Sequence, residues 1–528
     1  MKEQDEVYKW LSLFVVLIGT FMSVLSSSLI NLALPKMMSV FGVTLSDVTW
    51  VVTAYALAMG AVVPLTGFLS DTIGLKKLYV IAIFLFTLGS ALSGMAWSNS
   101  SMIVFRIIQA IGGGLMSPVG MSIVYALFPI EERGKALGIW GVAAMSAPAL
   151  GPTLGGYILS NLDWRLLFYI NVPIGIFGTI FAVLLLKDTP RKAFEGSFDI
   201  WGFITSVTGI VCTLYVIGKW STINWKEIHY PILLTIGIFS LILFVINELT
   251  HPNPLLDLRV LKIYNYSLSQ IISCVTVLAL MGGSYILPLY LQNIRGYTAM
   301  QSGMIMLPSA ISAAIMMPIS GAIFDKLGAK IVTIPGLIIL AWGSFELSTL
   351  TTETSSSTIM IISFIRGIGL GLAMMPMSAV GMNAIPLHLT AKASALTNTF
   401  RNIFSSISVT IVATIMTSRT TINFAHLSEQ ITMSNQTTAD AMKQLQAIYT
   451  TTGMTSTEAQ VNALSTLSGI VQQQAYLDAI NYATAFTAIS VLLAIALVFM
   501  MRTSARKEIF KCEENGCGQN EKLGTIMD

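Results

Sequence analysis

Long runs of apolar residues are the feature that most limits how this chain can fold. Runs of about 20 apolar residues recur along the chain, and a helix of about 20 residues crosses a bilayer core of about 30 Å. Inside lipid each backbone N–H and C=O group needs an internal partner, so the runs are predicted to be helices. Only 10% of the 528 residues are charged, against about 25% in a soluble domain, which excludes a soluble protein.

We predict fourteen membrane-spanning helices and therefore an all-α integral membrane protein. The first run is too long for a signal-peptide core and is interpreted as a retained span. The predicted spans are about 11–34, 48–68, 78–97, 101–124, 136–159, 165–186, 199–217, 229–248, 266–294, 301–324, 331–350, 357–382, 393–417 and 479–501.

The distribution of positive charge predicts that both termini lie in the cytoplasm. An even number of spans puts both ends on one side of the membrane. With the N-terminus inside, 19 of the 29 Lys and Arg residues fall on inner segments, 7 on outer segments and 3 within spans. Cytoplasmic loops carry the excess of Lys and Arg, so we predict a multi-pass protein of the cell membrane with this orientation.

An internal repeat divides the chain into two related halves. At an offset of 254 residues, glycines and charges at loop ends pair Gly42 with Gly296, Gly67 with Gly321, Asp71 with Asp325 and Gly74 with Gly328. At an offset of 260, Arg106 in span 4 is echoed by Arg366 in span 12. We therefore predict an N-terminal six-helix bundle at 1–192, two inserted helices at 193–262, a C-terminal six-helix bundle at 263–501 and a cytoplasmic tail at 502–528.

One long polar segment, 418–478, is predicted on the outer side. Its residues 455–458, Thr-Ser-Thr-Glu, are typical of a helix-capping box, and apolar residues recur at helical spacing over 461–471. A shorter helix is predicted around 442–449. The segment is either a helical hairpin that packs on itself, or a lid or docking site for an adaptor protein.

Two motifs carry the mechanistic predictions. The loop 67–77, Gly-Phe-Leu-Ser-Asp-Thr-Ile-Gly-Leu-Lys-Lys, lies on the inner side. The carboxylate of Asp71 could pair with a cation, with Arg133 as a candidate, or lie at a helix N-terminus, and so act as a latch on an inner gate. Alternatively, the lysines only hold the loop inside. In span 5, small residues four apart allow close helix packing and a proline can kink the helix; the motif residues are Gly151, Pro152, Gly155 and Gly156.

These motifs resemble those of the major facilitator superfamily, and in particular its fourteen-span drug:proton antiporters of the EmrB/QacA type. The loop 67–77 resembles G-x-L-a-D-r-x-G-r-k, with Thr72 and Leu75 as departures, and 147–156 resembles the antiporter motif g-x-x-x-G-P-x-x-G-G. The stretches 50–57 and 164–175 also match, so the resemblance covers the whole chain. It implies two pseudo-symmetric bundles that rock about a midplane site and export amphipathic compounds in exchange for protons.

The clearest departure from the family is in span 1. Ser26 stands where the family pattern has an acid that serves protons and cationic drugs, whereas Asn31 is retained. By the resemblance, spans 1, 2, 4, 5, 9, 10, 12 and 13 line the cavity, and none has Asp or Glu in its middle. Glu346, in the supporting span 11, is the remaining acid within a span away from its margins. It either couples protons or only reaches the interface.

The spans do contain buried positive charge. Arg106, Arg366 and Arg401 lie within them, and an arginine in lipid costs several kcal/mol by most estimates, so each must face the cavity or a partner. Residues 106–112 resemble the family motif R-x-x-q-G, which implies a part for Arg106 in proton transfer; the alternative is a hydrogen-bonded strut. The predicted cavity residues are Ser26, Asn31, Trp50, Tyr55, Gln109, Arg366 and Arg401.

These charges predict the substrate class. A permanent cation would meet net positive charge in a low-dielectric site, where Coulomb energies are large. We therefore predict export of neutral or weakly acidic amphipathic compounds, and we expect Ser26→Asp to shift the preference toward cations.

We predict a transporter, not an enzyme, because the sequence contains no metal cluster, nucleotide-binding loop or catalytic triad. No cofactor and no nucleic-acid partner are predicted, and the transport unit is expected to be a monomer in the lipid bilayer. Alternatives are an exporter of an endogenous lipid, peptide or metabolite, and a membrane sensor that binds without transporting.

Overall fold

The chain forms a bundle of long helices that run back and forth across one common layer. The computed structural model describes residues 2–187, 198–220, 223, 225–252, 254–386, 389–431 and 436–501. The predicted tail and the predicted boundary at 192 lie outside these residues. The helices are α1 Lys2–Phe41, α2 Leu45–Val62, α3 Thr66–Ile73, α4 Leu75–Gly94, α5 Asn99–Leu127, α6 Arg133–Asn161, α7 Leu166–Tyr169, α8 Asn171–Leu185, α9 Ile200–Gly218, α10 His229–Thr250, α11 Tyr264–Leu289, α12 Ala299–Leu327, α13 Ala329–Glu346, α14 Ser356–Asn383, α15 Thr390–Gln430, α16 Gln436–Thr451 and α17 Ser456–Met500.

The predicted spans all coincide with helices. Among the described residues, 13 helical segments are long and apolar enough to cross a membrane. The remaining predicted span, 136–159, falls in α6, which has 29 residues and therefore extends about 43 Å. It packs between α1 and α12. Both the all-α prediction and the prediction of a multi-pass membrane protein are confirmed.

Three of the predicted spans are interrupted near a proline. Span 2 is divided into α2 and α3 by a 3-10 turn at Val63–Leu65 that contains Pro64. Span 6 is divided into α7 and α8, with Pro173 near the start of α8. After Pro288, α11 widens into a π-helical turn at Tyr290–Ile294. Proline lacks the N–H that a continuous helix needs and crowds the preceding turn.

The internal repeat is visible in the backbone. Gly42 and Gly296 have φ of 63° and 67°, and Gly74 and Gly328 both have φ of 86°, a conformation that favours glycine. Two residues after Gly42 and Gly296, Thr44 forms a capping box at the start of α2 and Thr298 forms one at the start of α12. Equivalent turns therefore begin and end equivalent helices in the two halves.

The polar segment 418–478 is largely helical. The helix α15 continues to Gln430, well past the predicted end of span 13, and α17 begins at Ser456, before the predicted start of span 14. The capping box formed by Thr455 and Glu458 is confirmed. Between them α16 packs on α17, where the Tyr449 and Thr466 hydroxyls lie 2.7 Å apart.

The two halves meet differently on their two sides. On one side α6 packs directly on α12. On the other, the inserted helix α9 contacts both α2 and α15, and the Thr410 hydroxyl of α15 donates to the Ile217 carbonyl of α9 at 3.1 Å. The inserted pair α9–α10 therefore packs as a unit against the seam between α2 and α15. Below, inner and outer refer to the predicted orientation.

Candidate functional site

Arg106 lies at the centre of a polar cluster inside the N-terminal half. Its side chain is fully buried, and Nη1 donates to Ser26 Oγ at 3.2 Å and to Gln109 Oε1 at 2.5 Å. The Gln109 amide donates in turn to Ser26 Oγ at 3.1 Å and to Ser90 Oγ at 2.6 Å. The guanidinium lies 3.9 Å from the centre of the Tyr55 ring, a favourable cation–π contact.

The contact between Ser26 and Arg106 determines which group an acid at position 26 would pair with. Ser26 Oγ already contacts the Arg106 guanidinium, so an aspartate at this position would pair with that arginine. Within the described residues, Arg106 Nε and Nη2 have no hydrogen-bond partner. We therefore revise the expectation that Ser26→Asp alone creates a site for cations, because its charge would be neutralised by Arg106.

Arg366 occupies the related place inside the C-terminal half. It is buried, and it donates from Nε to Ser344 Oγ at 3.1 Å and from Nη2 to the Ala279 carbonyl at 2.6 Å. A Cβ on Gly283 would lie 2.2 Å from Nη2, so the guanidinium fits only because α11 has glycine there. Arg366 thus links α14 with α13 and α11 within its own half.

Arg401 differs from the other two because it reaches across to the opposite half. From α15, Nη2 donates to Asn398 Oδ1 at 2.6 Å and to Ser117 Oγ of α5 at 3.1 Å. The guanidinium lies 5.8 Å from the centre of the Trp140 ring of α6, and the Trp140 indole donates to Thr20 Oγ1 of α1 at 2.9 Å. We call Thr20, Ser117, Trp140, Asn398 and Arg401 the central polar cluster.

The central polar cluster can accept an anionic or hydrogen-bonding group. Arg401 is only half-buried, it remains charged, and it contacts the neutral side chains of Ser117, Asn398 and Trp140. Ser117, Asn398, Trp140 and Thr20 were not among the predicted site residues. The feature of the sequence that points to this cluster is the i, i+3 spacing of Asn398 and Arg401, which puts both residues on one helix face.

A carboxylate joins the halves at the inner side. Asp325, at the inner end of α12, accepts the backbone N–H of Gly134 at 3.1 Å and that of Lys135 at 3.0 Å. These groups begin α6, where the free N–H groups and the helix dipole favour a negative charge. This is the contact predicted for Asp71, and it is made by Asp325, the residue that corresponds to Asp71 in the C-terminal half.

Asp71 lies in the equivalent inner region of the N-terminal half. A Cβ on Gly67, four residues before it, would lie 3.1 Å from Lys392 Cγ near the start of α15, so α3 meets α15 much as α12 meets α6. Arg133 donates to the Tyr125 and Phe128 carbonyls at 3.0 and 3.1 Å and to Asn383 Oδ1 at 3.2 Å. It therefore bridges α6 to α14. A gating role for these residues stays a prediction.

The glycines of the span 5 motif bring α6 close to its neighbours. A Cβ on Gly151 would lie 2.2 Å from Ser28 Oγ, and one on Gly155 would lie 2.7 Å from Leu32 of the same helix, α1. A Cβ on Gly156 would lie 3.4 Å from the Cβ of Met300 in α12. The side chain of Pro152 lies outside the described residues.

Two predicted residues lie apart from the polar clusters. Trp50 stacks on Tyr215 of α9, with ring centres 5.6 Å apart, so it contacts the inserted helices. Glu346 is the last residue of α13 and is half-buried. A 3-10 turn at Leu347–Thr349 continues the span, so Glu346 lies near its outer end, as predicted. The side chain of Asn31 lies outside the described residues.

Comparison with known proteins agrees with this architecture. The family model of the Major Facilitator Superfamily matches residues 16–409. The chain is 39% identical over 434 residues to the uncharacterized MFS-type transporter YhcA of Bacillus subtilis, covering 81% of this chain and 80% of YhcA. It is 29% identical to the multidrug export protein EmrB of Escherichia coli K12, covering 84% and 86%. Among solved structures it is similar to the human organic anion transporter MFSD10, with a TM-score of 0.62, 11% identity and coverage of 93% and 99%, which supports the fold alone.

These matches extend across most of the chain and include relatives of the EmrB type, as the motifs predicted. The chain is therefore a membrane transporter and not an enzyme. The chain is a member of the Major Facilitator Superfamily.

Proposed function

We propose that the chain exports neutral or weakly acidic amphipathic compounds from the cell in exchange for protons. Relatives named multidrug export protein EmrB and lincomycin resistance protein LmrB support drug export. In this proposal both termini are cytoplasmic, the unit is a monomer, and the outer helices α16 and α17 offer a site where an adaptor could dock.

The central polar cluster is the observation that carries the proposed substrate class. Arg401 meets both halves of the protein, so a group bound there would be exposed to either side as the halves rock. In the eight helices expected to line the cavity and in α3, acids occur only near helix ends: Glu3, Asp5, Glu6, Asp47, Asp71, Asp325 and Glu429. A carboxylate or carbonyl on the substrate would complement Arg401, whereas a permanent cation would be repelled.

Uptake into inverted membrane vesicles tests this proposal. Three labelled probes of different charge are compared with and without an imposed pH gradient: chloramphenicol as a neutral compound, fusidic acid as a hydrophobic carboxylate and ethidium as a permanent cation. We expect gradient-driven uptake of the first two to exceed that of ethidium. Equal or faster uptake of ethidium would contradict the substrate class, and uptake that ignores the gradient would contradict proton exchange.

A further inference from the structure

A buried carboxyl group lies where the inserted helices meet the inner gate. Glu248, near the inner end of α10, is 0% exposed. Its Oε2 accepts the backbone N–H of Leu256 at 3.0 Å, and the backbone of Leu255 also interacts with the carboxyl group. Within the part of the chain that the structure describes, no donor meets hydrogen-bond geometry at Oε1. An ionised carboxylate normally accepts several hydrogen bonds when buried, so this oxygen is suited to carry a proton.

A second acid nearby is built differently. Asp199 caps α9: its Oδ1 accepts the Gly202 N–H at 2.7 Å and its Oδ2 accepts the Asn247 amide at 2.6 Å. Both of its oxygens therefore have donors, as an ionised carboxylate requires. Its negative charge interacts with Glu248, and two adjacent carboxyl groups resist being ionised together. The two carboxyl groups therefore differ in their hydrogen bonding: both oxygens of Asp199 accept a donor, whereas Glu248 Oε1 has none among the described residues.

The other charged groups around Glu248 belong to the inner gate and to the turn that follows α10. Lys392 of α15 interacts electrostatically with Glu248. The turn Leu258–Lys262 packs on α10, and Arg259 donates to the Leu249 carbonyl at 3.2 Å. The remaining titratable or charged residues of this turn and of the segment that joins it to α10 are His251, Asp257 and Lys262.

The contacts of the predicted latch loop join this pocket to the gate. A Cβ on Gly67 would lie 3.1 Å from Lys392 Cγ and 3.2 Å from the Leu255 carbonyl, next to the Leu256 N–H that holds Glu248. The Phe68 ring lies 4.8 Å from that of Phe198, beside Asp199. Movement of α3 away from α15 would therefore disturb both sides of the Glu248 pocket.

We propose that Glu248 is a proton-binding site of the transport cycle. It holds a proton, brought from the outer side by the proposed exchange, while the inner ends of the halves are in contact, and it releases that proton into the cytoplasm when they separate. The proton resides on Oε1 in the closed arrangement. When α3 and α15 part, water reaches the carboxyl group, the proton leaves to the cytoplasm, and the carboxylate is stabilised by water and by Lys392. This inference rests on the proposed proton exchange, and it gives the inserted helices a part in coupling.

The test compares Glu248→Gln with wild type in proteoliposomes, using fusidic acid and ethidium as probes. Gln keeps the shape of the side chain but cannot release a proton. We expect loss of accumulation driven by a pH gradient, with exchange of labelled for unlabelled probe retained. Glu353→Gln is the matched control, since Glu353 is exposed in the outer turn between α13 and α14, and it should behave like wild type.

The outcomes separate this inference from the proposed function. If wild type is driven by the gradient and Glu248→Gln is driven equally, only the role of Glu248 is overturned. If wild type ignores the gradient with both probes, proton exchange and the inference fall together. Should Glu248→Gln not fold, Glu248→Asp retains a titratable group on a shorter chain. Its transport should remain coupled with a displaced pH profile, and a profile identical to wild type would overturn the role.

Discussion

At the scale of single residues, the three intramembrane arginines have separate surroundings. Arg106 and Arg366 are buried and satisfied mainly by helices of their own halves, which is the arrangement of a strut. Arg401 is half-buried and touches both halves. The difference follows from their neighbours, since the hydrogen bonds of the first two stay within their own halves, whereas Arg401 donates to Ser117 of the opposite half.

Replacing Arg401 tests the charge of the site. Arg401→Gln keeps a hydrogen-bond donor and removes the positive charge. Hydrogen bonds to charged groups contribute about 1.5–3 kcal/mol, so the affinity for fusidic acid should fall by about ten- to a hundredfold, with little change for chloramphenicol. Binding isotherms on the purified protein measure both. An equal loss for the two probes would mean that Arg401 is structural.

Replacing Ser26 tests the pairing with Arg106. In Ser26→Asp the new carboxylate would be held by the Arg106 guanidinium, so ethidium efflux should stay at the wild-type level. In the double variant Ser26→Asp with Arg106→Gln the acid is released from this pair, and ethidium efflux should rise. Ethidium fluorescence in cells reports both. A rise in the single variant would show that the acid is free despite Arg106.

At the scale of helices, an inner contact between the halves is made by an acid that binds the start of a helix in the opposite half. Asp325 binds the first turn of α6 through two backbone N–H groups, and the related residue Asp71 follows the glycine that packs on Lys392 near the start of α15. Glycines at these crossings allow the helices to approach, and the carboxylate supplies attraction that hydration can replace when the halves part.

Removing the Asp325 charge should loosen the inner contact. Asp325→Asn is expected to cost about 1 kcal/mol of helix-terminus stabilisation, a roughly fivefold shift toward the inward-open form. The labelling rate of Ser394→Cys, in a background without the native cysteines, measures this opening. Ser394 is buried, and its hydroxyl donates to the Pro118 carbonyl of the opposite half, so labelling requires the halves to separate there. Asp71→Asn should act in the same direction.

The control for this experiment is Asp163→Asn, because Asp163 is exposed beyond the outer end of α6, where it accepts the Arg165 N–H. It should leave the labelling rate unchanged. A rate in Asp325→Asn equal to that of this control would remove the latch from the mechanism.

At the scale of the whole molecule, the halves form an asymmetric seam. On one side they meet through α6 and α12. On the opposite side α15 packs on α3 and α5, and the inserted helix α9 lies against α2 and α15 and stacks Tyr215 on Trp50. The inserted pair therefore touches both halves, and any rocking of one half against the other must move or slide past it.

The orientation of the molecule is open to a direct test. Because positive charge is concentrated on one set of loops, a reporter fused after Asp528 should lie in the cytoplasm. In a background without other cysteines, Gly453→Cys in the turn between α16 and α17 should be labelled in intact cells by a membrane-impermeant maleimide. Lys77→Cys, on the opposite side, should be labelled only after permeabilisation. The reverse pattern would invert the predicted topology.

The sequence alone determined the features that depend on local composition and periodicity. Apolar runs long enough to cross a bilayer as a helix are helical in lipid, because each backbone group then has a partner within its own segment. The paired glycines at an offset of 254 indicated two related halves, which the matching φ values and capping boxes confirm. Only the tertiary structure decided which polar groups meet. That Ser26 lies on Arg106, that Arg401 reaches Ser117 across the seam, and that Glu248 is buried beside Asp199 depend on helix rotation and crossing. Those are set by packing between segments far apart in the chain, and no local pattern in the sequence specifies them.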